Sequence, residues 1–311
     1  MKRRRFKNLR IKRVIGVTVF IVALLLAADF AKRKFIAPPV GTILVPGRFK
    51  PAESGTPGDG MNNPVNSELS GCFDLGVNLS SYCKVDVTEE MVYSGELCLV
   101  NESYSIGNPS KNMCSLYERK NEYYRVRDES LQMDGNAIYR LNQMMSDYAG
   151  QTGNINIVIY NTTNLYAGSD ALYSSQFAEA ALGYSLDLAV MGSDGVIVVY
   201  NSEASEGWMI ENCYKYGFIL PDPESPYHIR YVGVVHSNEM HDQGVVFESY
   251  VTEFCLNKID IPVRRTIGDR SYEMYYMSKD MVAVTGLLVP NNGEYSISGN
   301  NFNGYIITVT R

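Results

Sequence analysis

Apolar positions recur at helical spacing over one part of this chain and alternate over others, and that contrast sets the expected elements. Ile138, Leu141, Met145 and Tyr148 fall three or four residues apart, which predicts a helix over about 134–148 with one apolar face. The glycines at 150 and 153 are expected to end it, and "NINIVIY" (Asn154–Tyr160) then predicts a buried strand. In "LGYSLDLAVM", Leu182, Tyr184, Leu186, Leu188 and Val190 share one face, while Gly183, Ser185, Asp187 and Ala189 share the other. That period of two predicts a strand with an apolar and a polar face, partnered by "VIVVY" after a turn at Ser193–Gly195.

Further along, "SEGWMIENCYKYG" (Ser205–Gly217) predicts a helix with Ser205 as N-cap and Gly217 as its stop. A short strand is expected around 227–232, then helices near 234–241 and 247–257. From Arg270 the pattern changes to "SYEMYYM", "MVAVTGLLV" and "GYIITVT" with Asn-Gly turns, which predicts a small β module. The expected fold class is α+β: helices packed on a small, mostly antiparallel sheet, with a C-terminal β appendage.

Charge divides the chain. Residues 1–13, "MKRRRFKNLRIKR", hold eight of the 28 basic residues and no acid, so the rest carries 20 basic against 34 acidic residues. An acidic body repels phosphate backbones, and nucleic acid is excluded as the expected partner. Val14–Ala28 follows with no charge at all. Such a run behind a cationic tail reads as a single-pass signal anchor over 14–31, with the tail in the cytoplasm and the body outside; a cleaved signal peptide is the other reading. Residues 32–66, rich in Pro and Gly, read as a linker. The remainder divides into a main domain, 67–258, and the β module, 259–311. All six cysteines fall on the predicted outer side, where disulfides can form. None stands in a C-x-x-C pair, and buried free thiols are the alternative.

All three histidines lie in "SPYHIRYVGVVHSNEMH" (Ser225–His241). His236 and His241 are five apart and do not share a helix face, and His228 belongs to the preceding strand. The segment alone is therefore not a three-histidine metal site. The natural second donor is Asp187. In the bland reading His228 is a core histidine, Asp187 a hydrogen-bonded surface carboxylate, and Trp208 a packing residue between a helix and the sheet.

Taken together, "YSGELCLVN" (Tyr93–Asn101), "GWMIENCYKYGFIL" (Gly207–Leu220) and "HIRYVGVVHSNEM" (His228–Met240) resemble the VanY-type D-alanyl-D-alanine carboxypeptidases, zinc peptidases that trim peptidoglycan stem peptides. The resemblance implies that the first stretch is an opening strand. It also implies a zinc bound by a His and an Asp in S-x-H-x-x-G-x-A-x-D, with a third ligand and a glutamate base in E-P-W-H. Such an open zinc activates a water, and the glutamate moves its proton. Anchored on Gly183 and Asp187, "AEAALGYSLD" puts Ala180 at the first ligand position; Asp187 and His228 remain as residual ligands. Ser225 stands at the base position, and Asn161 where an orienting arginine belongs, next to Tyr160. Tyr160, Asn161, Ser185 and Tyr227 are the implied substrate-binding residues. Glu224 and Glu179, each one residue out of place, are the candidate substitutes for base and ligand. The expectation is a degenerate, catalytically inactive, membrane-anchored protein without a resident cofactor, which binds a peptidoglycan peptide or a cell-envelope protein. The alternatives are an active zinc carboxypeptidase using the shifted residues and a structural spacer.

Overall fold

The computed structural model describes residues 47–48 and 75–311, apart from 102, 105–106, 163–178, 202–206 and 302. The expected basic tail and anchor lie outside the described residues, as do most of the linker, Cys72 and Ser205. Among the described residues no helix is long and apolar enough to cross a membrane.

The strands are β1 (Gly47–Arg48), β2 (Tyr82–Val85), β3 (Met113–Ser115), β4 (Arg125–Val126), β5 (Gln132–Asp134), β6 (Ile157–Asn161), β7 (Ser185–Met191), β8 (Ile197–Val199), β9 (Phe218–Ile219), β10 (His228–Tyr231), β11 (Val263–Ile267), β12 (Arg270–Ser278), β13 (Leu287–Pro290), β14 (Glu294–Gly299) and β15 (Gly304–Thr310). The helices are α1 (Leu116–Arg119), α2 (Gly135–Thr152), α3 (Gly207–Asn212), α4 (Val234–Gln243), α5 (Phe247–Phe254) and α6 (Lys279–Thr285). One sheet runs β4-β6-β7-β10-β9, with β8 pairing the far half of β7; only β4 and β6 are parallel. A second sheet runs β1-β14-β15-β12-β11. The α+β class, with a mostly antiparallel sheet, is what the pattern predicts.

Helix α2 forms where the apolar spacing predicts it and runs four residues further. Asp134 caps its start, accepting from the backbone N–H of Asn136 and Ala137. Gly150 is tolerated inside the helix, and Gly153, at φ 73°, closes it. Its face of Ile138, Leu141, Met145 and Tyr148 is fully buried in the larger of two cores. Trp208 packs α3 onto this helix rather than onto the sheet: its ring meets Tyr148 edge-on at 5.6 Å and its N–H donates to Gln151.

Three expectations need correction. "YSGELCLVN" is irregular, not a strand, because Gly95 turns the chain and the carbonyls of Glu96 and Cys98 point inward to accept from Arg230. "MVAVTGLLV" is not one strand: Ser278 caps α6 by accepting from the Met281 N–H, and the chain becomes β13 only after Gly286. The second face of β7 is not polar and open, since Ser185 and Ala189 are as buried as Leu186. Of the two readings of the cysteines, free thiols hold for Cys83, Cys98, Cys114 and Cys213, three of them buried.

The C-terminal β module is present but is no appendage. Along β12, Tyr275 and Met277 enter one core while Met274 and Tyr276 enter the other. Along β15, Ile307 and Val309 face the first core and Ile306 the second. A strand buried on both faces needs the near-continuous apolar run seen in "SYEMYYM" and "GYIITVT". Strand β13 also pairs with β2 from the start of the main segment.

His236 ties this sheet to the helices. It is buried on α4, with Nδ1 2.8 Å from the Tyr250 hydroxyl of α5 and Nε2 2.7 Å from Thr308 Oγ1 of β15. It is a scaffold residue, not a ligand. Burial lowers its pKa to about 3, so the folded protein holds it neutral. The unfolded chain takes up a proton below about pH 6.5 and the folded one does not until about 3, so stability is full above that window and falls as pH drops through it. His236→Gln is expected to be about 1–3 kcal/mol less stable at neutral pH. It should also lose less between pH 6.5 and 3 than the wild type, measured by urea unfolding at stepped pH.

Candidate functional site

Register builds the site. In the β7–β10 ladder Asp187 stands opposite His228, and Ser185 opposite Arg230. Directly opposed side chains share a face of an antiparallel pair, so these four lie together. On the other flank Asn161 of β6 pairs with Asp187, across a bulge that leaves Tyr160 as the extra residue. Gly183, just before β7, adopts φ +83°, and a Cβ there would lie 2.3 Å from the Met113 sulfur. Glycine is required at that turn, which fixes the spacing from Glu179 and Ala180 to Asp187.

A continuous polar chain results. Asn161 Nδ2 donates to Asp187 Oδ2 at 3.4 Å, and Asp187 Oδ1 lies 2.7 Å from His228 Nδ1. At the other end of the ring, His228 Nε2 is 3.5 Å from Glu179 Oε2, an ion-pair distance too long to satisfy the nitrogen as a hydrogen bond. Glu179 Oε1 accepts from Arg230 at 2.8 Å. Arg230, 1% exposed, also donates to the carbonyls of Cys98 and Glu96 and lies 4.4 Å over the Phe247 ring. Burial alone would lower the pKa of His228, but the Asp187 hydrogen bond and the two flanking carboxylates outweigh it and hold it up to about 9. Burial alone would raise Glu179; Arg230 and then His228 outweigh that and keep its carboxyl below the usual range.

The other candidates fall on and around this chain. Ala180 is buried just ahead of the Gly183 turn. Ser185 is fully buried, which takes it out of reach of a substrate, and its hydroxyl has no hydrogen-bond partner among the described residues. Tyr227 is half-buried against the larger core and accepts from the Leu188 N–H through its backbone. Ser225 donates to Asp222 Oδ2 at 2.8 Å, in the turn before β10. Glu224 is exposed in that same turn, its N–H held by Asp222. Tyr160 is 39% exposed, with the Arg127 guanidinium stacked 4.1 Å from its ring centre. A separate cleft, lined by Glu96, Arg140, Tyr231 and Glu294 among others, includes none of the polar chain.

Two residues escaped the sequence reading. Arg230 was visible within "HIRY", and a cation inside an otherwise apolar buried strand demands a buried counter-charge; that signal leads to Glu179. Arg127 carries no comparable signal, because its meeting with Tyr160 depends on the β4–β6 pairing.

A zinc peptidase centre needs three protein donors converging on one point. Here the ring nitrogens diverge: Nδ1 meets Asp187 and Nε2 faces Glu179, so the two carboxylates sit at opposite ends of the imidazole. The 2.7 Å between Nδ1 and Asp187 is also shorter than the roughly 3.3 Å separating two donors of a tetrahedral zinc. Among the described residues no group of three His, Cys, Asp or Glu side chains is set to hold a metal ion. The described residues do not fit a three-donor zinc centre.

The fold and the strand-borne His–Asp pair place the molecule in the class of α+β carboxypeptidase-like proteins. Its structure resembles that of the vancomycin-resistance D,D-dipeptidase VanXYg in complex with a D-Ala-D-Ala phosphinate analogue, with a TM-score of 0.58, 21% identity, and coverage of 74% of this chain and 99% of that one. A D-alanyl-D-alanine carboxypeptidase of Enterococcus faecium is 32% identical over 241 residues, 72% of this chain and 78% of the relative. No family model matches. The chain belongs to the VanY-type D-alanyl-D-alanine carboxypeptidase family.

Removing Arg230 strands a buried carboxylate. Arg230→Ala is expected to cost about 3–5 kcal/mol in denaturant unfolding, as for other broken buried pairs. Ala180→His supplies a third donor type beside the His228–Asp187 pair. It should raise zinc affinity by roughly 100-fold or more, given the 10–16 kcal/mol of a full zinc shell. Competition with a chromophoric chelator measures this, and an unchanged affinity would show that position 180 does not face the pair.

Proposed function

We propose that this chain is a membrane-anchored, extracytoplasmic D-Ala-D-Ala carboxypeptidase-like protein that binds the stem peptide of peptidoglycan and does not cleave it. The observation that carries the second half is the divergence of the His228 nitrogens onto two separate carboxylates. The reading is supported by the described residues, among which no third donor converges on an ion and Ser225, at the base position, is turned to Asp222. Peptide binding is supported by the family, and by the D-Ala-D-Ala analogue held by the VanXYg neighbour. The anchor is supported by the uncharged run behind eight cations, and that orientation puts the domain on the side where stem peptides are found.

The 32% identity to a carboxypeptidase favours the second reading, an active enzyme with shifted residues. One preparation separates the two. Full-length protein in detergent is expected to hold zinc well below one ion per chain by elemental analysis. It should release no D-alanine from a pentapeptide ending in D-Ala-D-Ala above a chelator-treated control, yet bind that peptide saturably. One zinc per chain, with release that chelator or His228→Ala abolishes, would overturn the inactive reading. Failure to bind the peptide would remove it as the ligand and leave a cell-envelope protein as the partner to seek.

A further inference from the structure

Resting on the peptide-binding reading above, we infer that Arg127, whose guanidinium lies over the Tyr160 ring, is the residue that receives a free carboxylate of the bound peptide. Strand β4 pairs in parallel with β6, Arg125 against Val158 and Val126 against Ile159. The next step of that ladder brings the Arg127 N–H to the Ile159 carbonyl at 3.0 Å and sets its side chain beside Tyr160. The guanidinium carbon then lies 4.1 Å from the ring centre, with both residues exposed. Tyr160 is the bulged residue of β6, and Asn161 directly after it begins the chain to Asp187 and His228. The ring beneath the cation thus belongs to the residue that directly precedes the polar chain in sequence.

Neighbouring cations are committed elsewhere. Arg230 is buried on Glu179 and two carbonyls, and His228 lies between two carboxylates. Arg125 is turned onto the Met191 sulfur. Arg127 forms no ion pair with a described residue, and the carboxylate of Asp128 beside it accepts from the N–H and hydroxyl of Ser130 instead. A stacked guanidinium keeps its N–H edge free, in a plane that suits two-pronged binding of a carboxylate. On a body with 34 acids against 20 bases outside the tail, an anionic ligand needs such a local cation.

The probes are the pentapeptide ending in D-Ala-D-Ala with a free carboxylate, and the same peptide as its C-terminal amide. Each is titrated calorimetrically into the full-length protein in detergent. Wild type is expected to prefer the free acid by roughly 10- to 100-fold, the size of a charge-assisted hydrogen-bonded pair. Arg127→Ala should remove that preference while leaving amide binding unchanged, and Arg127→Lys, which keeps the charge and loses the fork, should restore it in part. Unfolding midpoints should match the wild type, because Arg127 is exposed. Equal wild-type binding of the two forms, or a loss in Arg127→Ala that is the same for both, removes the Arg127 assignment and leaves peptide binding standing. A wild type that binds neither form overturns the peptide-binding reading and this assignment with it.

Discussion

A guanidinium buried to 1% exposure has to be neutralised where it stands, and the Arg230–Glu179 pair is the constraint on which the rest of this site depends. Arg230 comes from β10, and Glu179 from the turn before β7. Their pairing holds that turn against the ladder, and the carbonyls of Glu96 and Cys98 fix a third segment to the same cation. His228 sits two residues from Arg230 on the same strand face, so the clamp also decides what the imidazole meets. Glu179 answers Arg230 with one oxygen and His228 with the other, and Asp187 takes the remaining ring nitrogen. Among the described residues, charge balance organises the centre.

Apolar packing holds the fold around this centre. The C-terminal sheet is buried on both faces and joins two hydrophobic cores, and β13 returns to pair with β2. With that much apolar surface interlocked, loss of ligands in one polar chain removes little of the free energy that holds the fold. The same packing explains why residues 259–311 are no detachable contact module: removing them would open both cores.

Local signals were legible where one face of one element decided the outcome. The α2 stripe, the period of two in β7, the β10 strand and the Gly217 stop all follow from neighbours a few residues apart. The pair Asp187–His228 was also readable, because the motif spacing was anchored on a glycine that the backbone needs at φ +83°. What the pattern hid is tertiary. Alternation in β7 marks two faces but does not say that both are covered, and so Ser185 read as a contact residue when it is fully buried. The valines of 281–289 masked a helix whose start lies in the preceding Ser278 cap. Glu179 looked like a shifted metal ligand because sequence gives its offset from Ala180 but not the arginine that claims it.

That last point bears on how the described residues of this centre carry their charge. With His228 protonated, the chain holds two carboxylates and two cations and is neutral. The group holds that proton up to about 9, so at neutral pH an incoming divalent ion would first have to expel it. The exchange would leave the set one charge positive in a largely buried place, with one Glu179 oxygen still bound to Arg230. An imidazolium between two carboxylates already supplies the charge that a metal would bring. What it does not supply is an open coordination position, and that is the property on which hydrolysis by a zinc-activated water depends.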